Sequence, residues 1–307
     1  MNQQPPLVSI VLSFRNEAAN IPALVERLAA MFADEPVDYE LLFVNDDSTD
    51  ESLELLLNER AANPRVKILN MSRRFGVAEG VLAGMTASRG DAVVYMDADL
   101  QDPPEVIPVM LNRWRQGADV VHTVRTRRRG ESPMKMWATR MAYRVIQSGS
   151  AIELPVDAGD FKLLSRPVVD HLLQVRESDP YLRGLVVWLG FTQVFVPYER
   201  DARHGGQTHF PFFSKNPWKT FVIGMTSFSF LPIYACFALA ALGLVSSVLA
   251  LFVSGPFFAA LTFFWATTLA AIGGLGIFLI RIYKDVRGRP AYIVKSTVGI
   301  VADDRRS

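Results

Sequence analysis

The sequence predicts an α/β sandwich built on a mostly parallel sheet and followed by a C-terminal pair of membrane-spanning helices. Three observations predict it. Short apolar runs recur at 8–12, 41–44, 66–69, 93–96 and 119–124, and continuous apolar runs mark strands buried on both faces. Helical patterns separate these runs, and strand–helix alternation implies a sheet sandwiched by helices. No charged residue occurs from Phe221 to Ile280, a run far longer than the ~20 apolar residues of a bilayer span.

The elements follow in order. The first strand ends in a polar mouth, Ser13-Phe14-Arg15-Asn16-Glu17. Ile21, Leu24, Val25, Leu28 and Phe32 then recur on one helical face. The second strand ends in Asn45-Asp46-Asp47-Ser48, and Ser48-Thr49-Asp50-Glu51 reads as a capping box for the next helix. The fourth strand ends in Asp97-Ala98-Asp99-Leu100-Gln101. Asp102-Pro103-Pro104-Glu105 opens another helix, with Asp102 as its cap and Pro103 at its first position. The fifth strand runs into the basic group Arg125, Arg127, Arg128 and Arg129. Helices are expected at 133–147 and 167–174. Ser254-Gly255-Pro256 divides the uncharged run into spans at 231–253 and 257–280.

Flanking charge orients the spans. Lys215 and Lys219 precede them, Arg281, Lys284, Arg287, Arg289 and Lys295 follow, and the turn between them has no charge. Positive residues favour the cytoplasmic side, so both ends are expected inside. This divides the chain into a cytosolic domain at 1–214, an interfacial segment at 215–230, a hairpin at 231–281 and a cytosolic tail at 282–307. A net charge of +1 argues against nucleic-acid binding. Cys236 is the one cysteine, which excludes an intrachain disulfide and a cysteine metal cluster. Residues 1–6 lack the basic flank and apolar core of a signal peptide.

Ligands of such sheets sit beyond the carboxyl ends of the strands. In extended chain, residues two apart share a face, so Asp97, Asp99 and Gln101 present oxygen together, a donor set for Mg2+ or Mn2+. Asp46 and its neighbours suit a base or ribose, with loop and cap chemistry as the bland alternative. No G-x-G-x-x-G follows a strand and no G-x-x-x-x-G-K occurs, which removes dinucleotide and P-loop sites.

With DADLQDPPE at 97–105, and with the stretches 10–21, 44–50, 72–76, 96–105, 156–164, 198–210 and 281–294, the chain resembles the inverting family-2 glycosyltransferases of GT-A fold. Within them it is similar to the polyprenyl-phosphate branch, the bactoprenol glucosyltransferases and dolichol-phosphate mannose synthases. The resemblance implies a nucleotide-sugar donor, UDP-glucose first and GDP-mannose or a modified aminosugar as alternatives. It implies an undecaprenyl phosphate acceptor at the bilayer and a divalent metal on Asp97, Asp99 and Gln101. It assigns Ser13, Arg15, Asn16, Glu17, Asp46, Arg73, Asp97 and Ala98 to the nucleotide, and Asp157 and Asp160 to the reacting centre. Arg125, Arg200, Arg203 and His209 fall to the phosphates and acceptor. The chain departs from the family at Ser13, where proline is usual, at Asp47, where glycine is common, and at Thr208-His209, where the family has Ser-Lys. Self-association through the spans is a further expectation. The rivals are a processive synthase, whose Gln-x-x-Arg-Trp motif is missing, and a non-catalytic membrane scaffold.

Overall fold

The computed structural model describes residues 5–126, 158–200, 231–252 and 257–300. A single eight-stranded mixed sheet organises them, in the order β7-β5-β6-β4-β1-β2-β3-β8. Its parallel centre is β1 (Leu7–Phe14), β2 (Asp38–Asn45), β3 (Val66–Met71) and β4 (Ala92–Asp97). Val8, Ile10, Val11 and Leu12 of β1 are fully buried on both faces, so the apolar runs are strands of a two-sided core. β5 (Val120–Arg125) and β7 (Gln193–Tyr198) pair in parallel, and the antiparallel β6 (Ala158–Ser165) joins β5 to β4.

Two apolar layers cover the sheet. On one face lie α1 (Ile21–Ala33), α2 (Ser52–Ala62) and α4 (Ile107–Arg115). Ile21, Leu24, Val25, Leu28 and Phe32 make the buried stripe of α1, each contributing about 2 kcal/mol of burial. On the other lie α3 (Val77–Ala87), α5 (Arg166–Leu172) and α6 (Leu182–Trp188). Gly80 and Gly84, one turn apart, let α3 settle onto the sheet. A Cβ at Gly84 would lie 2.3 Å from Val11 Cγ1, and one at Gly80 would lie 2.2 Å from Ser13 Oγ.

Three local expectations are corrected. The helix after β2 begins at Ser52 with no side-chain cap. Ser48 is not its cap because its hydroxyl accepts the Asn16 N–H at 3.0 Å. Asp102 does not cap the turn at Pro104–Val106, which also has no side-chain cap; its carboxylate is drawn into the site described below. The extended phase proposed for 97–101 stops at Asp97, where β4 ends, and Leu100 turns the chain with φ 58°. The helix expected at 133–147 lies outside the described residues.

The C-terminal region holds α7 (Leu231–Phe252) and α8 (Phe257–Val286). They touch closely where Gly243 faces Thr267 and where Cys236 Sγ donates to the Ala271 carbonyl at 3.3 Å. Among the described residues one helix stretch, Phe263–Val286, is long and apolar enough to cross a membrane, where two spans are expected from the sequence. Trp265, Leu269, Ile272 and Leu279 on it are exposed, a continuous apolar surface that water does not tolerate. α8 also runs beyond the expected end at 280. The chain then returns to the domain as β8 (Val294–Val298), antiparallel to β3 at the sheet edge. The tail thus completes the sheet.

Gly84→Ala is expected to lower stability by about 2 kcal/mol through overpacking against Val11, read as a lower denaturation midpoint at unchanged denaturant slope.

Candidate functional site

The carboxyl ends of β1, β2 and β4 meet at one edge of the sheet. The three non-glycine residues with positive φ among the described residues are Asn16, Asp47 and Leu100, and each follows one of these ends. Asparagine and aspartate accept this conformation readily, whereas leucine is strained there. Asp47 (φ 59°) adopts the left-handed conformation that glycine takes most readily.

The β1 and β2 loops are tied together. The Asn16 side-chain oxygen accepts the Thr49 N–H at 2.8 Å, and Arg15 Nε donates to the Asp47 carbonyl at 3.3 Å. Glu17 is buried, its N–H given to Ser52 Oγ at 3.0 Å and its carboxylate bonded by Asn20 at 2.6 Å. Asp46, also buried, accepts the N–H groups of Phe75 at 2.6 Å and Gly76 at 3.1 Å, so it organises the loop before α3. On that loop Arg73 lies over the Phe75 ring at 3.9 Å. Ser13 sits beneath Gly80 with its hydroxyl buried. Ala98 is buried in the apolar layer beneath α1 and α4.

Carboxylates crowd the end of β4. Arg200 Nη2 lies 3.9 Å from both Asp97 and Asp99, and its Nε donates to Asp102 at 3.1 Å. Asp102 is 1% exposed. The same Asp102 oxygen accepts the Tyr198 hydroxyl at 2.5 Å, and Tyr198 in turn accepts from Arg125 Nε at 3.2 Å. The second Asp102 oxygen is buried without a hydrogen-bond partner. Burial, with the charges of Asp102, Asp99 and Asp160, pushes the Asp97 carboxyl up to about 7 against the pull of Arg200.

Asp160 enters from β6, which runs antiparallel to β4. Arg183 of α6 holds it with two bonds, at 2.8 and 2.5 Å. Burial opposes its ionisation, but Arg183, with Lys162 and Arg125 nearby, holds it down at about 2. Behind it Lys162 and Tyr95 are cross-strand neighbours, each buried with its polar atom without a hydrogen-bond partner. Burial lowers Lys162 to about 7.

The structure thus brings together Asp97, Asp99, Asp102, Asp160, Arg125 and Arg200. Asp157, Arg203 and His209 lie outside the described residues, as do Arg127, Arg128 and Arg129. His122 is buried, bonded to Gln193 at 2.7 Å and stacked on Phe195, so it serves packing. The sequence reading missed Arg183, Lys162, Tyr198 and the buried role of Asp102. No motif spacing links them, because they meet only through the register of β4, β5, β6 and β7.

A divalent cation fits this chemistry. Among the described residues no three His, Cys, Asp or Glu side chains form a ready metal cage. Mg2+ usually binds through one or two carboxylates, with oxygens of water or ligand completing its shell, and Asp97 and Asp99 offer such a pair. The unpartnered Asp102 oxygen and the raised Asp97 carboxyl both mark excess negative charge that a cation relieves.

In EDTA, Asp97→Asn is expected to raise the melting temperature at pH 8 by roughly 2 °C, and the difference is expected to shrink by pH 5. A carboxyl that keeps its proton to about 7 in the fold, but loses it near 4 when unfolded, favours the fold as pH falls through 7. Subtracting the two proteins' melting curves across pH removes the opposing contributions of Lys162 and His122.

The profile described as glycosyl transferase family 2 matches residues 9–173. The uncharacterized glycosyltransferase YkcC of Bacillus subtilis (strain 168) is 38% identical over 306 residues, covering 95% of this chain and 94% of the relative. The SfII prophage-derived bactoprenol glucosyl transferase of Shigella flexneri is 30% identical over 307 residues, covering 94% and 98%. Among solved structures, glucosyl-3-phosphoglycerate synthase from Mycobacterium tuberculosis, crystallised with Mn2+, UDP and glucosyl-3-phosphoglycerate, is similar in fold. Its TM-score is 0.51 at 19% identity, covering 72% of this chain and 78% of that one.

Proposed function

This chain belongs to glycosyl transferase family 2, and from that premise we propose that it moves one glucose from UDP-glucose onto undecaprenyl phosphate at the cytoplasmic face of a membrane. The observation that carries this reading is the return of the chain from α8 into the sheet as β8. It holds a nucleotide-sugar fold against an apolar helix, where a soluble donor and a lipid acceptor can meet. The full-length likeness to a bactoprenol glucosyl transferase supports the acceptor and the sugar.

The anchor is a two-span hairpin in this reading. β7 before the helices and β8 after them belong to one sheet. If α8 crosses the bilayer, the chain must cross an even number of times to return. α7, packed along α8, supplies the second crossing, and both ends stay with the sheet, as the flanking charges favour. Residues 1–214 then form the catalytic domain and 215–230 the interfacial segment.

Asp97 and Asp99, together with Gln101, would hold Mg2+ or Mn2+ on the side of the donor diphosphate. When bound, the metal supplies Lewis-acid stabilisation of the departing nucleoside diphosphate. Arg15, Asn16, Glu17 and Asp46 shape the nucleotide side, together with Ser13, Arg73 and Ala98. Arg200 and Arg125, joined by Arg203 and His209, take phosphate oxygens by charge-assisted hydrogen bonds. The acceptor is a phosphate monoester, largely dianionic because its second pKa is about 6. It needs little help from a base. Asp160, already ionised and held by Arg183, orients the reacting partners, a role the resemblance also gives to Asp157. In-line attack on the anomeric carbon breaks its bond to the diphosphate and inverts it.

The test is a panel of nucleotide sugars with undecaprenyl phosphate, Mg2+ or Mn2+ and full-length protein in nanodiscs. UDP-glucose is expected to label the lipid, EDTA to remove the signal, and Asp99→Ala to cut turnover about a hundredfold or more. Labelling by GDP-mannose or an aminosugar donor instead would reassign the sugar. A folded protein that turns over no donor, and whose melting temperature ignores metal plus UDP, would be a scaffold.

A further inference from the structure

One turn of α8 holds three consecutive residues of the catalytic domain. Arg281 donates to Glu177 at 3.0 Å, Lys284 to Asp179 at 2.5 Å, and Asp285 accepts the Ser178 N–H at 2.9 Å. Residues 281, 284 and 285 share one helical face. The clasped segment leads directly into α6 at Leu182, and Arg183 in its first turn grips Asp160 with two hydrogen bonds. A continuous line of contacts therefore runs from the apolar helix to a carboxylate whose charge is felt by Asp97.

The Arg183–Asp160 pair is about one-third exposed on both sides. Solvent screens such a pair in part, but its geometry does more than supply opposite charge. What two parallel bonds do provide is orientation, because a guanidinium fork fixes the plane of the carboxylate as well as its position. A lysine in its place would be a point charge and would leave the plane free.

We propose that Arg183 is a positioning residue for Asp160, and that its own place is set by the clasp between α8 and residues 177–179. The active arrangement is then complete only when the membrane helix is seated on the domain. This rests on the reading of Asp160 as a group at the reacting centre.

The experiment compares Arg183→Ala, Arg183→Lys, Glu177→Arg, Arg281→Glu and the double reversal Glu177→Arg/Arg281→Glu in full-length protein in nanodiscs. It reads kcat, KM for each substrate and melting temperature. Arg183→Ala is expected to lose about a hundredfold in kcat, the scale of an ångström-level misplacement, at unchanged KM for the donor, and Arg183→Lys to recover part of it. Either single clasp reversal is expected to lose about tenfold in kcat, ~1.4 kcal/mol of barrier, and the double reversal to recover most of that loss.

A folded Arg183→Ala with unaltered kcat would overturn the proposal. So would clasp reversals without effect, a double reversal that recovers nothing, or losses that only follow melting temperature. If Arg183→Ala does not fold, the clasp variants, which keep Arg183, decide the matter. Absence of wild-type transfer to undecaprenyl phosphate would instead overturn the proposed acceptor, and the same series would then be read on hydrolysis of the donor by water.

Discussion

Concentration of negative charge at the carboxyl end of β4 is the constraint to which the rest of the site answers. Asp97, Asp99, Asp102 and Asp160 converge there, and carboxylates so placed repel one another unless cations are brought to them. The fold brings three arginines from three separate elements. Arg125 comes from the end of β5, Arg200 from just beyond β7, and Arg183 from α6. Tyr198 adds a hydroxyl to Asp102. The compensation is uneven. Asp160 is held well below the usual carboxylate range, while Asp97 is pushed to about 7. That unevenness leaves the Asp97 side with negative charge to spare for a cation, and leaves Asp160 as a fixed anion. Asp160 is thereby fixed in place as well as in charge by the Arg183 fork.

The same edge carries backbone strain. Leu100 is buried in a left-handed conformation between the aspartates and the following turn. Burial of its side chain, worth about 2 kcal/mol, offsets a conformational cost of the same order. The turn ends the extended strand at Asp97, so Asp99 reaches the site by a bend and not by alternation, its carboxylate accepting the Gln101 N–H at 3.1 Å. Asp46 performs a comparable service at the end of β2, bonding two N–H groups of the loop that precedes α3.

Much of this was visible beforehand. The strands from β1 to β5 announced themselves because they are buried on both faces, and a two-sided core demands uninterrupted apolar residues. α1 announced itself through its single buried stripe. β6 was missed because Asp160 and Lys162 interrupt its apolar run, for reasons that lie in the site. β7 was missed because it is an edge strand with Phe195 exposed. β8 was missed because it is five residues long and pairs with β3, more than two hundred residues earlier. The cap assigned to Asp102 failed because a local rule was outweighed by a non-local partner, the Arg200 guanidinium.

The sequence by itself determined the class of the fold, the strand ends at which acidic residues gather, and an apolar C-terminal region unlike the rest. Each is written in periodicity or in short spacing, which local physics converts into structure without reference to distant residues. Only the tertiary structure decided which cation serves which carboxylate, that Asp102 is a buried hub, and that the chain returns from α8 to close the sheet and clasp residues 177–179. Those are matters of strand register and of contacts between elements far apart in the chain, and such contacts leave no pattern in a linear sequence.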